Sequence, residues 1–427
     1  MTEQRYDFVV FGATGFTGQF VVDEVARVIA EEGDSMKMAV AGRSMEKLQK
    51  VLAESSQRTG KALEETPIII SDVSNDESLA EMCKQARVVL NCVGPYRFYG
   101  EKVVKACVEN GAHHIDISGE PQYLERMQLL YSGKARENDV YVIGACGFDS
   151  IPSDMGVAFV TDKFKGDLNS VEFYITLHPG AEGLAGNVTT LESALHGFAH
   201  SGELKPLRKT LFPTPLPRSQ YKLEPKTVGF NKEVDTWCMN FPGSDRAIVN
   251  RSVRFNYEVN QQRPFQVGAY IKLPSFLYVM ITIIAGMFIG LLAKFSFGRS
   301  LILQYPQIFT FGVFKKGGPS KKQIETSSFS ITLIGKGWKD KLADADAKHD
   351  SPPDSKIVAK VSGPEAGYVT TPICMVQCAL TLLKEVKKES VSGGVYTTAS
   401  IFRDTTLIDR LNKHNVKYEI ITEQGPI

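Results

Sequence analysis

Neither sign of charge predominates in this chain: 49 Lys and Arg stand against 48 Asp and Glu, a net charge of +1 over 427 residues. Without a basic excess there is no electrostatic footprint for a nucleic-acid partner, and none is expected. Cysteine is sparse: the seven, at 83, 92, 107, 146, 238, 374 and 378, include no CxxC spacing. Such a scatter points to reduced thiols in a cytosolic compartment rather than a disulfide framework. The seven His are equally dispersed, and no His/Cys/Asp set has zinc spacing, so no metal site is expected. The opening Met1-Thr2-Glu3-Gln4-Arg5 lacks the charged and apolar regions of a secretory leader, so none is expected. Residues 424–427 match no prenylation, retention or peroxisomal signal. Asn187-Val188-Thr189 and Asn250-Arg251-Ser252 fit the glycosylation sequon and are read as chance matches in a cytosol-facing protein.

What is present is the profile of a folded protein: 43% hydrophobic, 23% charged and 10% aromatic residues. The length calls for two to three domains. Tyr6–Phe11 is a short apolar run of the kind a buried parallel strand needs. It feeds into Gly12-Ala13-Thr14-Gly15-Phe16-Thr17-Gly18 and then into an amphipathic helix through Ala30. Strand, glycine turn and helix, in that order, are what a dinucleotide pyrophosphate requires. The glycines give a tight turn, close backbone approach and close helix–strand packing, and the helix N-terminus supplies partial positive charge. The spacing is GxxGxxG rather than GxGxxG, and its context gives it weight. Residues 12–17 are the expected pyrophosphate cradle.

The second strand, Lys37–Gly42, ends in Arg43 and Ser44 instead of an acidic residue. A guanidinium there favours a 2′-phosphate, so NADP(H) is expected over NAD(H); Ser44 also caps the helix from Met45. Ile68–Ile70 leads to Asp72, read either as a contact to the adenine edge or as a loop brace. A fourth strand from Val88 ends in Asn91-Cys92-Val93-Gly94-Pro95, where backbone borders the nicotinamide half. Strands His114–Ile117 and Val140–Ala145 alternate with helices ending near Gly111 and Asn138, which argues a doubly wound parallel sheet.

Ligands in such sheets lie beyond the carboxyl ends of the strands. Three polar clusters fall there: Tyr96-Arg97-Phe98-Tyr99, Asp116-Ile117-Ser118-Gly119-Glu120 and Gly147-Phe148-Asp149-Ser150. A reductase needs a proton donor beside the carbon that receives hydride, and Tyr96 and Asp149 are the expected catalytic pair. The alternative for each is loop ordering or domain bridging. Cys92 and Cys146 are read as packing residues rather than nucleophiles.

After Ser150 the pattern changes. Val171–Leu177, Val253–Val259, Phe329–Leu333 and Ile357–Val361 read as strands of one antiparallel sheet with one covered face. A helix runs from Thr371 to Leu383, and a last βα-type stretch follows Gly393-Gly394. The expected organisation is a Rossmann α/β domain over 1–150 and an α+β substrate domain over 151–370 carrying an apolar insertion at 275–314. Residues 371–427 then pack back on the first domain.

Ser275–Ala293 is uncharged and bounded by Lys272 and Lys294. Its length suits a bilayer at about 1.5 Å per residue. A single span would separate strands that belong to one sheet, so the segment is read as monotopic: it enters a lipid surface and returns. Ser300–Phe314 is its second arm, with Lys315, Lys316, Lys321 and Lys322 at the boundary. A buried core helix is the alternative.

The motifs at 12–18, 41–44, 91–96 and 116–120, with Gly147-Phe148-Asp149-Ser150-Ile151-Pro152 and Gly363-Pro364-Glu365-Ala366-Gly367-Tyr368, resemble those of the saccharopine dehydrogenase-like oxidoreductases over nearly the whole chain. The resemblance implies a nicotinamide cofactor and a branch found on lipid droplets and other membranes. The named substrate does not follow: a soluble, doubly charged amino acid has no need of an apolar arm. The leading reading is an NADP(H)-dependent reductase acting on a lipid or other apolar carbonyl or enoyl compound at a lipid surface. Two others stand beside it: a non-enzymatic lipid-droplet coat or scaffold protein that keeps the cofactor fold, and a saccharopine-type amino-acid enzyme. Homo-oligomerisation is left open.

Overall fold

The computed structural model describes residues 5–33, 35–224, 227–387 and 391–427; the leader reading at 1–5 falls almost wholly outside them. The first third alternates strand and helix without exception: β1 (Tyr6–Phe11), α1 (Phe16–Glu31), β2 (Met38–Gly42), α2 (Met45–Thr59), β3 (Ile68–Ile70), α3 (Asp76–Lys84), β4 (Ala86–Asn91), α4 (Tyr96–Asn110), β5 (His113–Asp116), α5 (Pro121–Glu137) and β6 (Tyr141–Ile143). The strands form one parallel sheet in the order 6-5-4-1-2-3, the doubly wound arrangement. Its central strands are buried on both faces, which is why they read as unbroken apolar runs.

A second seven-stranded sheet follows. In chain order come α6 (Ile151–Lys163), β7 (Asp167–His178), β8 (Gly186–Asn187), α7 (Val188–Ala199), α8 (Leu204–Leu211), β9 (Val228–Asn231), β10 (Thr236–Asn240), α9 (Asp245–Asn260) and β11 (Gln266–Leu273). Then follow α10 (Phe276–Ala293), α11 (Ser296–Gln304), α12 (Pro306–Phe309), β12 (Phe314–Lys315), α13 (Lys321–Thr326), β13 (Ser328–Trp338) and β14 (Ser355–Pro364). The chain closes with α14 (Thr371–Glu385), β15 (Gly394–Tyr396), α15 (Thr398–Phe402), α16 (Leu407–Lys413) and β16 (Lys417–Pro426). The second sheet has the order 16-14-13-7-11-10-9. β15 crosses back to pair in parallel with β6, so each sheet takes a strand from the last forty residues.

Two expectations are corrected. The second sheet is mixed: β7 and β11 run parallel, while the other pairs are antiparallel. Residues 253–259 are helical, lying within α9. Ile248, Val249, Ser252 and Val253 make its buried face at helical spacing, whereas Val259 is exposed, so the period-two alternation there was coincidental. The strand that precedes the apolar segment is β11. Because β11 and β13 flank β7 on its two sides, the chain leaves for 274–327 and returns to the same sheet.

The long core cluster joins both sheets through α14, whose Cys374, Met375, Val376 and Cys378 are fully enclosed. α14 is apolar enough to resemble a membrane helix, yet it is a core helix packed on α1. α10 is the reverse, with only 11% of its span buried. Pro306 splits the expected second arm into α11 and α12.

Candidate functional site

Gly12 ends β1 with φ +82°, a conformation that favours glycine, and a Cβ there would lie 2.7 Å from Val93 Cγ2. Its carbonyl accepts from the Gly15 N–H at 2.9 Å. A Cβ on Gly18 would fall 2.2 Å from that same carbonyl, so the third glycine is what lets α1 lie against β1. Gly15 is different. It caps α1, is exposed with Thr14, and a Cβ on it would meet nothing closer than Gly12 O at 3.1 Å. No side chain caps α1 and no acidic residue occupies its first turn. The free N–H groups and the helix dipole are therefore turned toward an external anion. Ala13 is buried beneath the turn, Thr17 is half-buried, and the Phe16 ring packs against Tyr368 rather than toward the turn's open side.

At the end of β2 Arg43 is exposed, and among the described residues nothing bonds its guanidinium. Ser44 caps α2, accepting from the Lys47 N–H at 3.4 Å. The Asp72 carboxylate accepts from the Ser74 N–H at 2.8 Å and hydroxyl at 2.7 Å, bonds that hold it below the usual carboxylate range; Arg43 adds a weaker electrostatic pull. Asp72 thus braces its own turn and leaves Arg43 as the open cation of this edge.

The β4 end is an internal brace. Asn91 is fully buried: its Oδ1 accepts from the Val93 N–H at 3.1 Å, and its amide nitrogen lies 3.3 Å from His114 Nε2. Burial pushes the Cys92 thiol up to about 12, so it stays protonated beside Met375. Cys92 and Val93 present backbone next to Gly12, which brings the β1 and β4 turns together.

The three polar clusters also converge. Glu120 accepts from the backbone N–H of Tyr96 at 2.8 Å and of Arg97 at 3.2 Å, capping α4 from the next loop. The Tyr96 hydroxyl donates to the Asn91 carbonyl at 2.8 Å, and burial drives the phenol well above its ordinary range. That hydroxyl is committed to backbone. Asp116 gathers three donors, the N–H groups of Ser118 and Ala145 and the Tyr123 hydroxyl, while burial still lifts it to about 6. Asp149 is half-buried, with one oxygen 2.2 Å from where a Gly119 Cβ would stand. The next residue, Ser150, holds φ +147°, a strained value for a side-chain-bearing residue. Phe148 N–H donates to Thr371 Oγ1 at 3.0 Å, so the start of α14 helps set this loop.

Sequence reasoning missed Glu120 as a cap, Thr371 and Asp245. Asp245 opens α9, and the run Pro242-Gly243-Ser244-Asp245 carries a helix-start signal. A surface groove lined by Glu31, Gln377, Asp409, Arg410 and His414 lies at the far end of α1 and is not part of this site.

Comparison with known proteins agrees with this geometry. A family model described as the saccharopine dehydrogenase NADP binding domain matches residues 8–143, so the cofactor is NADP(H). The chain is 46% identical over 427 residues, 99% of each chain, to a human "Saccharopine dehydrogenase-like oxidoreductase". It is 41% identical over 424 residues to a Caenorhabditis elegans "Lipid droplet localized protein", covering 98% of this chain and 99% of that one. Apo saccharopine dehydrogenase (L-Glu forming) from Saccharomyces cerevisiae shares the fold, with a TM-score of 0.56 at 13% identity, covering 97% of this chain and 99% of that one. With a glycine turn between β1 and α1, an open arginine after β2 and whole-length likeness to named members, this chain belongs to the saccharopine dehydrogenase-like oxidoreductase family.

Proposed function

We propose that this protein is an NADP(H)-dependent oxidoreductase that exchanges hydride with an apolar, lipid-like substrate at a lipid surface. The observation that carries the reading is α10: eighteen uncharged residues, left largely bare on the same unit that meets the Rossmann strand ends. Leu277, Met287, Leu291, Phe297, Ile308 and Phe311 are each more than half exposed across α10–α12 and their connections. So large an apolar face is the mark of an interaction site, and lipid is the partner whose chemistry suits it. Both flanking strands bond to β7, which favours attachment over a span. Of the two charges between the arms, Lys294 and Arg299, the second donates to the Ala293 carbonyl at 2.7 Å and so closes the C-terminus of α10. Lys315, Lys316, Lys321 and Lys322 follow at the polar edge.

The apolar surface also leads toward the site. α7 packs on α10 and α11, and its His196 ring meets Phe98 of α4 at 4.8 Å. Phe98, Tyr99 and Phe198 are exposed along that line, beside the first turn of α4. The worm relative is named for its lipid-droplet location. In this reading the α1 N-terminus and residues 12–17 hold the pyrophosphate, Arg43 the 2′-phosphate, and Val93–Gly94 border the nicotinamide. NADP(H) supplies or accepts hydride, and Asp149 handles the accompanying proton.

The test is to incubate purified protein with NADPH and cellular lipid extract, following cofactor oxidation and product mass. Oxidation matched by a lipid species gaining two hydrogens supports the reading. Tight NADPH binding without turnover points to a coat or sensor protein, and turnover of saccharopine to the amino-acid enzyme.

A further inference from the structure

Asp149 lies in the loop between β6 and α6, and Asp245 opens α9 from the other sheet's side. The two carboxyls lie close enough for each to act on the other's protonation. Asp149 Oδ1 and Asp245 Oδ2 are both buried, and among the described residues neither accepts from any N–H or O–H donor outside the pair. Asp245 Oδ1 is taken by the Ser153 hydroxyl at 2.5 Å. The residues beside the two acids also meet, since the Ser244 hydroxyl lies 3.1 Å from that of Ser150. Two glycines make the room: a Cβ on Gly119 would lie 2.2 Å from Asp149 Oδ2, and one on Gly243 would lie 2.9 Å from Oδ1.

No Lys, Arg or His among the described residues forms an ion pair with either carboxyl. The neighbouring acids are engaged elsewhere. Glu120 faces the Tyr96 and Arg97 N–H groups, and Asp154 accepts from Ser252, Thr398 and the Ala399 N–H. Two carboxylates this close, enclosed and without a cation, cannot both ionise. Burial raises both groups, and one proton placed between their facing oxygens satisfies both.

We infer that Asp149 and Asp245 hold a single proton between them at neutral pH, and that Asp245 is a positioning residue keeping Asp149 in its acid form. Its use in turnover rests on the oxidoreductase reading above. When hydride from NADPH leaves a substrate atom negative, the Asp149 O–H bond breaks and the proton bonds to that atom. A proton from water replaces it as it leaves, so the pair returns to its singly ionised state. The device spans both sheets, since Asp149 follows β6 and Asp245 belongs to the helix packed under β11.

Infrared difference spectroscopy on the full-length protein tests this without a substrate. Subtracting the spectrum of Asp149→Asn, and separately that of Asp245→Asn, from the native one at neutral pH should reveal the same protonated-carboxyl stretch. Each single variant should lose the whole signal, because the amide put in its place lets the remaining carboxyl ionise. Persistence of the acid stretch in either variant would show the proton belongs to one residue alone, and its absence in the native protein would overturn the inference outright. NADPH affinity within about twofold of native certifies the fold of each variant. Should a variant fail to fold, raising the pH of the native protein must remove the stretch with release of one proton, and release of two would refute sharing. With a substrate in hand, Asp149→Asn should lower kcat about 10²-fold or more, while Asp245→Asn should shift the alkaline limb of the pH profile downward. Failure to find any substrate would overturn the function and leave the infrared result standing.

Discussion

The rings of Phe16 and Tyr368 meet edge to face, with centroids 4.8 Å apart, although 352 positions separate them in the sequence. Phe16 belongs to the glycine turn and Tyr368 to the late Gly363–Tyr368 motif, so the two motifs are one construction. The Tyr368 hydroxyl accepts from the Asn187 N–H at 2.9 Å, and a Cβ on Gly318 would strike the Phe16 ring at 2.4 Å. The glycine turn is thus propped by Tyr368, which Asn187 holds in place, and by the backbone at Gly318. Tyr368→Phe keeps the ring and removes one hydrogen bond, an expected loss of about 1 kcal/mol in chemical denaturation. Tyr368→Ala should cost about 3–5 kcal/mol and weaken NADPH binding as the turn loosens. Equal effects of the two variants would show that the ring contact is idle.

Gly15 and Gly18 lie three residues apart and should fail differently. Gly15→Val meets only Gly12 O at 3.1 Å within the chain, so the fold should survive while dinucleotide binding is lost. Gly18→Ala places its methyl 2.2 Å from Gly12 O, forcing helix and strand apart, and should lower the melting temperature before any ligand is added. Titration and thermal denaturation of both variants separate the roles. A Gly15→Val protein with native cofactor affinity would remove this turn from the site.

Arg43 is open at the end of β2, while Asp72 nearby is occupied with Ser74. Arg43→Asp should weaken NADP(H) by on the order of 2–4 kcal/mol and change NAD(H) far less. Matched losses for both cofactors would mean that Arg43 does not meet the 2′-phosphate.

The parallel sheet was legible because its strands are buried on both faces and each ends in a turn with its own chemistry. Asn91 and Tyr96 stood out by position, yet their partners, a buried histidine and a backbone carbonyl, depend on tertiary placement. The strand Gln266–Leu273 escaped notice because Gly268 interrupts a short apolar run, while neighbouring α9 alternated by accident. Asp245 could not be paired with Asp149 from the sequence, since 95 intervening residues form part of another sheet and its helices. The apolar helix was plain from composition, but that it stands bare rather than buried is a property of packing.

His113 and His114 on β5 give the fold an acid-sensitive element. Burial holds their imidazoles down, to about 4 and about 3. Unfolded, both titrate near about 6.5, so the native state binds fewer protons below that pH. Their contribution is complete above about 6.5 and is lost as pH falls toward 4 and then 3. Asp116 opposes them: raised to about 6 by burial, it favours the native state increasingly as pH falls from 6 toward 4. Asp149, Asp154 and Asp245 are raised as well and act with Asp116, so what the histidines add is a drop in melting temperature between about pH 6.5 and 4 superposed on the carboxyls' gain. His114→Gln should make that drop shallower, and an unchanged slope would assign it to other groups.

The bare face of α10–α12 leads to the broadest prediction, that the protein binds lipid surfaces through residues 276–313 without crossing them. Burying even ten of its side chains at ~1.5–3 kcal/mol each exceeds the freedom lost on adsorption, so attachment should resist salt. Ile284→Asp with Met287→Lys alters two side chains that are 57% and 64% exposed, so the fold and NADPH binding should persist while liposome flotation fails. The chain also carries its own reporter, since it has only two tryptophans. Trp237 sits 4.9 Å from Phe276 at the start of α10, whereas Trp338 is buried against His349 at 3.9 Å. Brominated phospholipids should therefore quench Trp237 and leave Trp338 emission unchanged, which Trp237→Phe would verify by abolishing the quenching. Protease added to protein-coated vesicles should cut both before 270 and after 327, because β11 and β13 belong to one sheet. Cleavage on one flank only would make α10 a true span, and unquenched Trp237 on vesicles that still bind the protein would move the contact to another face.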